Sequence, residues 1–400
     1  MKRLSSLCVV AAVVGFAVAA FAADWPHFLG PDSNGFSPET GINKDWNNKK
    51  PAQLWRVPLD NESYAGPSVA DGKVFIMDHK GDNDVVRALD LETGKPVWEF
   101  TYPEATKGEH GFVRSTPTFE NGKLYTYSRM GVMHCLDAKN GKKLWSRDLV
   151  TELKGLPPHW QHAASPVIDG DNLMVTAGGA EATFVVLKKA TGETVWNTGN
   201  NDASGYASVV PAVIGGQKQC LVLTGQNLVS FDLPARMMLW AVPFENGRKI
   251  NAASPVVIGD MIFITSNYSL GSAMVKVAEG NAAIAWQNKD LQSRFSTPIV
   301  KDGSIYGIGE GFMVCIEAAT GKTLWKQAGF EKGGLIGIDG VIIGIDGKDG
   351  DAVMVDMKPD ACKELGRFKP LGGQSWTAPI AAGGKLIVRN LKELACFKLK

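Results

Sequence analysis

One short pattern recurs along the chain and limits what it can fold into. Its first copy is Ala88–Trp98 (ALDLETGKPVW), and related copies end at Trp145 and Trp325. Each copy has an apolar strand that ends in an acid, a turn that contains glycine, and a second strand that ends in tryptophan. Because glycine takes the positive φ that such a turn requires, each copy predicts a β-hairpin.

Tryptophan closes seven units of this kind, at intervals of 39 to 51 residues. The seven are Trp55, Trp98, Trp145, Trp196, Trp240, Trp286 and Trp325. Ahead of the closures, a small residue and a proline open another apolar strand, as Thr116-Pro117 does. Four short antiparallel strands in a period of about 40 to 50 residues are typical of a β-propeller blade.

The two ends of the repeat array predict the number of blades. A weak closure at Leu365–Phe368 has Phe in place of Trp, and the unit that follows it, from Pro379 to Lys400, holds only three strands. Residues 53–59 form a closing strand without a blade. We predict that this N-terminal strand completes the last blade, because closing the ring removes exposed sheet edges. The predicted fold is an all-β, eight-bladed propeller of four-stranded antiparallel blades, with seven blades as the alternative if residues 333–368 form none.

The N-terminus predicts export. Lys2-Arg3, an apolar run from Leu7 to Phe21 and the small residues around Ala22 are typical of a signal peptide over residues 1–22, cleaved near Ala22-Ala23. The run is too short to favour a membrane-spanning helix. We therefore expect a periplasmic or secreted protein with an irregular strap over residues 23–52 and one propeller domain over residues 53–400.

The strap is rich in proline and glycine, yet it carries Trp25, Phe28 and Phe36. Aromatic residues are scarce in disordered segments. We expect the strap to pack over one face of the ring, and a ligand contact through His27 is the alternative.

The charge of the mature chain is balanced. Without residues 1–22 it has 40 basic and 41 acidic residues. This balance gives no reason to propose nucleic acid or anionic lipid as a partner. Cys135, Cys315 and Cys396 each occupy the strand position of Ala88, which predicts small, buried side chains in separate blades.

The unit Ala-Leu-Asp-x-x-Thr-Gly-Lys-x-x-Trp resembles the pyrroloquinoline-quinone (PQQ) repeat with its Trp-docking motif, over about residues 53–400. The resemblance implies that the repeat tryptophans pack between neighbouring blades, where each indole buries about 150–250 Å² and its N–H can bond to the adjacent blade. Proteins with this architecture include quinoprotein alcohol dehydrogenases and the propeller lipoprotein of the outer-membrane β-barrel assembly machinery.

The connections between units gather at one end of such a ring, around the central channel. The candidate ligand-binding residues at this mouth are Tyr64, Arg114, His162, Tyr206, Asn251, Arg294 and Trp376. The connection from Thr101 to Thr116 adds Lys107 and His110. Aromatic and cationic side chains around a concave mouth suit an anionic, planar or peptide ligand. The alternative is that they bond only strand ends and a column of water.

The sequence contains no Gly-x-Ser-x-Gly motif of a serine nucleophile, no glycine-rich phosphate-binding loop and no His-Glu-x-x-His motif of a zinc protease. His159 and His162 have a spacing that could suit a metal ion, but the sequence offers no third ligand beside them. The acidic stretches 78–84 and 346–351 lack the spacing of a calcium loop and suit hairpin turns better. We therefore predict no metal site.

We expect an exported, monomeric, non-catalytic binding or scaffold module without a cofactor, whose partner is an envelope protein, peptide or glycan. Two alternatives stay open. One is an alcohol or sugar dehydrogenase dependent on PQQ and calcium, although the vicinal cysteine pair of those enzymes is missing here. The other is a glycan-processing enzyme whose site is too dispersed to recognise.

Overall fold

Each repeat folds as a sheet because its middle strands are apolar on both faces and need neighbours to cover them. Ser304–Ile308, for example, is buried along its whole length. In the computed structural model, which describes residues 23–105 and 108–400, eight sheets follow one another as the blades of a ring. The predicted signal peptide and Lys107 lie outside the described residues.

The strands of the first four blades, in chain order, are β3 (Ser68–Ala70), β4 (Lys73–Lys80), β5 (Asn83–Asp90) and β6 (Pro96–Pro103); β7 (Thr118–Glu120), β8 (Lys123–Tyr127), β9 (Val132–Asp137) and β10 (Lys143–Asp148); β11 (Val167–Asp169), β12 (Asn172–Val175), β13 (Phe184–Lys188) and β14 (Thr194–Thr198); and β15 (Val210–Ile214), β16 (Gln217–Leu223), β17 (Asn227–Asp232) and β18 (Met237–Pro243). Two single-turn helices lie between them, α1 (Leu149–Glu152) and α2 (Gly179–Ala182).

The strands of the last four blades are β19 (Val256–Ile258), β20 (Met261–Ser266), β21 (Gly271–Ala278) and β22 (Asn281–Asn288); β23 (Ile299–Lys301), β24 (Ser304–Ile308), β25 (Phe312–Glu317) and β26 (Thr323–Ala328); β27 (Leu335–Ile338), β28 (Val341–Ile345), β29 (Ala352–Asp356) and β30 (Glu364–Phe368); and β31 (Ile380–Ala382), β32 (Lys385–Arg389) and β33 (Glu393–Lys398). The strands β1 (Phe36–Ser37) and β2 (Gln53–Pro58) precede the first blade in the chain.

The ring closes as predicted. Strand β2 pairs antiparallel with β33, with Trp55 opposite Cys396 and Val57 opposite Leu394. The N-terminal strand thus supplies the fourth strand of the last blade. The alternative of seven blades is wrong, because residues 335–368 form the regular sheet β27–β30.

The outer rim, by which we mean the fourth strands and the turns that precede them, repeats one interaction. Trp98 donates from Nε1 to the carbonyl of Ala138 in the next blade at 3.1 Å. Its ring lies on Gly141, where a Cβ atom would be 2.5 Å from the indole. Trp55, Trp145, Trp286 and Trp325 donate in the same way, at 2.9 to 3.2 Å. Four of these turns have a glycine beneath the indole, at Gly94, Gly141, Gly192 and Gly321, and there the glycine is needed for space as well as for its positive φ.

The weak closure of the seventh blade departs from the sequence prediction. The register places Gly366, and not Phe368, at the position of the repeat tryptophan, opposite Met354. Trp46, from the segment ahead of the first blade, fills the space: it is completely buried, and its ring meets Phe368 edge-on at 5.0 Å. A Cβ atom on Gly366 would lie 2.8 Å from the Cβ of Trp46. An indole from elsewhere in the chain thus replaces the missing one.

Residues 23–39 run through the channel, whereas the sequence led us to expect a strap over one face. Trp25 exchanges two backbone hydrogen bonds with Val69 of β3, at 2.9 and 2.8 Å. Strand β1 then pairs in parallel with β27. At the far end of the ring, where first and second strands are joined, the carboxylate of Glu39 accepts a hydrogen bond of 2.8 Å from the N–H of Gly384. The first strands surround the channel, so residues 23–39 line its inside. Residues 40–52 then pass to the outer strands of the last two blades, where Asn47 donates to the carbonyl of Leu365 and the N–H of Lys398 donates to the carbonyl of Ala52.

Candidate functional site

A cavity of about 440 Å³ lies at the mouth of the channel, the end at which each blade connects to the next. Its floor comes from the N-terminal segment, through Trp25, Phe28 and Leu29. Its walls come from the connections that precede the first strands. Hydrogen bonds such as that from the N–H of Ser165 to Oγ of Ser208, at 2.9 Å, join the connections of neighbouring blades. The cavity is therefore built by the whole ring and not by one blade.

One position in each connection faces the cavity. In all seven blades that open with a proline, the residue three positions before that proline lines it. These residues are Tyr64, Arg114, Ala163, Ser208, Ala252, Phe295 and Trp376. The same register therefore recurs in all seven connections, and in some of them a neighbouring residue, such as Arg294 beside Phe295, lines the cavity as well.

Five of the seven predicted site residues lie together at the cavity: Tyr64, Arg114, Tyr206, Arg294 and Trp376. His162 and Asn251 do not line it. They stand four positions before their prolines and are buried inside the connections.

The two buried residues have structural contacts. Asn251 donates from Nδ2 to the carbonyls of Thr224 and Phe244, at 2.8 and 2.9 Å. His162 packs against Tyr127, and burial lowers its pKa to about 3. His27 places Nδ1 3.2 Å from the carbonyl oxygen of Phe28 and is not among the lining residues.

A stack of aromatic side chains forms one wall. The rings of Tyr64 and Trp376 are stacked with centroids 5.2 Å apart and an interplanar angle of 15°. Phe295 continues the stack, 5.1 Å from Trp376. The Tyr64 hydroxyl accepts a hydrogen bond of 2.8 Å from Nε2 of Gln374, which fixes the orientation of the ring. This wall is largely aromatic.

The opposite wall contains Trp160, which the sequence analysis did not select. Its backbone N–H donates to the Tyr206 hydroxyl at 3.1 Å, and its indole N–H donates to Glu109 at 2.9 Å. His110 meets its ring edge-on at 4.9 Å. Trp160 follows α1 in the longest connection, and its spacing to Pro166 is unlike that of the other residues, so the proline register could not identify it.

Three arginines border the cavity. Arg294 pairs with Glu310, with Nε 2.9 Å from Oε1. Arg114 donates only to the backbone carbonyls of Trp160 and His110, and its Nε is buried without a partner among the described residues. Burial lowers the pKa of Arg114 to about 10. Arg248 forms no ion pair within the described part of the chain.

Tyr268 connects two of these arginines. The guanidinium carbons of Arg248 and Arg294 lie 5.5 and 5.0 Å from its ring centroid. Tyr268 belongs to the hairpin between β20 and β21, which also reaches the mouth, with a positive φ of 57°. Sequence reasoning missed it because it considered only the connections between blades. With three arginines against the carboxylates of Glu310 and Glu109, the walls carry an excess of positive charge.

A buried cluster supports the connection that carries Arg114. Asp84 lies 2.8 Å from Nδ1 of His79 and 3.1 Å from Nη1 of Arg129. Arg129 also lies 5.0 Å above the ring of Phe112, two residues before Arg114. The cluster fixes the backbone from which Arg114 extends. The acidic stretch 78–84 thus forms a hairpin, as does 346–351 between β28 and β29.

The PQQ and calcium of the dehydrogenases need a suitable ligand set. Calcium takes six to eight oxygen ligands, usually with several carboxylates. Within residues 23–105 and 108–400, no three His, Cys, Asp or Glu side chains converge on a point that could hold a metal ion. Of the acids near the cavity, Glu310 is paired with Arg294 and Glu109 with Trp160. The residues present do not fit that metal site.

Comparison with known protein families shows that one family model matches this chain. The family described as "Outer membrane protein assembly factor BamB" matches residues 45–108 and 82–327, together more than half of the chain. BamB of Yersinia pestis is 20% identical over 70% of this chain and 82% of its own length. No helix in the described part of the chain is long and apolar enough to cross a membrane.

Dehydrogenases are also similar. The quinoprotein alcohol dehydrogenase PedH of Pseudomonas putida is 26% identical over 51% of this chain, but the match covers only 32% of that enzyme. The quinohemoprotein alcohol dehydrogenase of Comamonas testosteroni has a TM-score of 0.70 at 13% identity, over 94% of this chain and 80% of that one. At that identity the likeness shows the fold alone.

Proposed function

We propose, since the chain belongs to the family described as outer membrane protein assembly factor BamB, that it is a non-catalytic binding module of the cell envelope. It takes a segment of a partner protein into the cavity at the channel mouth. One observation carries this proposal: aromatic walls and arginines from separate blades converge on one cavity. Its volume of about 440 Å³ is within the range of ligand sites, about 300–1,000 Å³, and admits a few side chains rather than a folded domain.

Photo-crosslinking tests the proposal. With p-benzoylphenylalanine in place of Tyr268, irradiation of cells should give a defined adduct with one or a few envelope proteins. The control is the same substitution at Val213, which is 63% exposed near the far end of the ring. Adducts only from position 268 support binding at the mouth. No adduct, or the same adducts from both positions, would contradict it.

The dehydrogenase alternative has its own test. Adding PQQ and calcium to the purified protein should give no saturable change in cofactor absorbance and no dye-linked oxidation of alcohols. Saturable binding with turnover would replace our proposal with an enzymatic function.

Export is part of the same proposal, supported by the apolar run of Leu7–Phe21 and by the family. Sequencing the N-terminus of the protein recovered from the envelope fraction should give Ala23. Recovery of the uncleaved chain from the cytosol would contradict export.

A further inference from the structure

The chemistry of the cavity walls specifies the segment more narrowly, and this inference rests on the proposed function. We infer that the cavity takes a peptide segment in which a carboxylate side chain lies next to an aromatic side chain.

The first requirement is a negative charge. Arg114 is half-buried and is held by two backbone carbonyls, which leave its positive charge uncompensated. Arg248 is exposed and lies over the ring of Tyr268 without an ion pair among the described residues. A half-buried cation such as Arg114 is unfavourable without an anion, and a carboxylate restores the balance with charge-assisted hydrogen bonds that the exposed Arg248 can also donate. A neutral ligand would leave Arg114 without such a partner and would gain nothing from the charge of Arg248.

The second requirement is a flat apolar group. Phe28 and Leu29 on the floor and Phe295 on the wall are only partly buried, so they present apolar surface to the cavity. An aromatic side chain buries about 150–250 Å² and prefers stacked or edge-on contacts with other rings. The mouth supplies both kinds of surface beside the arginines. A ligand with only an acid would contact the arginines but not the apolar surface, and a ligand with only an aromatic group would do the reverse.

Four capped tetrapeptides test this chemistry by calorimetry with the purified protein. The first contains Glu-Phe between glycines, and the others replace Glu by Gln, Phe by Ala, or Glu by Lys. We expect saturable binding of the Glu-Phe peptide, at least tenfold weaker binding of the Gln and Ala versions, and no saturation with Lys. Equal affinity for the Glu and Gln versions, or for the Phe and Ala versions, would overturn the inference.

Two variants test whether the charge that attracts the peptide lies at the mouth. Arg248→Gln should weaken the Glu-Phe peptide about tenfold and leave the Gln-Phe peptide unchanged, because it removes only the charge interaction. Lys95→Gln removes an equal charge from an exposed turn at the far end of the ring and should change neither. If both variants weaken binding equally, the attraction is diffuse and the inference is wrong.

An acidic oligosaccharide of hexuronate units serves as the competing ligand class. Saturable binding of this oligosaccharide without binding of the peptide would overturn the inference in favour of a glycan. The crosslinks from position 268 distinguish this failure from failure of the proposed function. Protein adducts at the mouth, together with no preference for Glu-Phe, would refute the ligand class alone.

Discussion

The outer rim and the mouth of the ring follow opposite rules. On the rim, one contact is repeated between blades, in which an indole lies on the glycine of the next turn and donates to its backbone. At the mouth, the residue three positions before each opening proline always lines the cavity, but its type differs between blades and includes Ala, Arg and Trp. The difference indicates that the repeat specifies the scaffold, while the variable position specifies what the scaffold binds.

Deleting residues 53–59 should have the largest effect. The last blade would lose β2, and the backbone groups of β33 that pair with it would become an exposed edge. We expect aggregation or loss of the cooperative unfolding transition, measured by size-exclusion chromatography and thermal melting. A truncated protein that melts like the intact one would contradict closure of the ring through β2.

Trp46→Ala tests the indole that stands in for the missing repeat tryptophan. Replacing a fully buried large aromatic side chain by alanine costs about 3–5 kcal/mol. Denaturant unfolding should show a loss of that order. A loss below about 1 kcal/mol would mean that Trp46 does not support the seventh blade.

Gly141→Ala and Gly122→Ala form a matched pair for the rim. Both glycines have φ of 75°, but a new Cβ atom would clash with Trp98 only at Gly141 and would meet nothing within 4 Å at Gly122. The left-handed conformation costs about 1–2 kcal/mol at either position. We expect Gly141→Ala to cost at least 1 kcal/mol more in the free energy of unfolding. Equal losses would show that the indole does not need the glycine.

Acid pH should destabilise both regions through two buried histidines. Burial lowers the pKa of His134, beside the rim, to about 4 and that of His162, in the mouth connections, to about 3. Below pH 6.5 the unfolded chain binds a proton at each histidine that the folded chain does not, so stability falls as the pH falls towards 4.

At pH 5 the loss relative to pH 7 should reach about 2 kcal/mol for each of these histidines, as measured by urea unfolding. His134→Leu and His162→Leu should each reduce the difference between the two pH values. Variants that keep the pH dependence of the wild type would show that these histidines are not its source.

The regular part of the molecule could be predicted from the sequence because its signals are local. Glycine turns, tryptophans and prolines mark most of the blades, and together they gave the eight blades and the closure of the ring. Residues 365–368 misled us because the bulge before Gly366 shifts the register, which spacing alone does not show.

The mouth could be predicted only in part. Tyr64, Arg114 and Trp376 were found because they share a fixed distance from a proline. Trp160 and Tyr268 reach the cavity from an irregular connection and a hairpin, and the floor comes from residues that are distant in the sequence. These contacts depend on the closed ring, so no short stretch of sequence contains them.

The division between rim and mouth is tested most directly by measuring unfolding free energy and Glu-Phe peptide affinity in Gly141→Ala and Arg248→Gln. We predict that Gly141→Ala lowers stability and, under conditions where it is folded, binds the peptide like the wild type. Arg248→Gln should keep its stability within about 0.5 kcal/mol, as surface substitutions usually do, and bind about tenfold more weakly. Wild-type affinity in Arg248→Gln, or an equal loss of affinity in folded Gly141→Ala, would contradict the account.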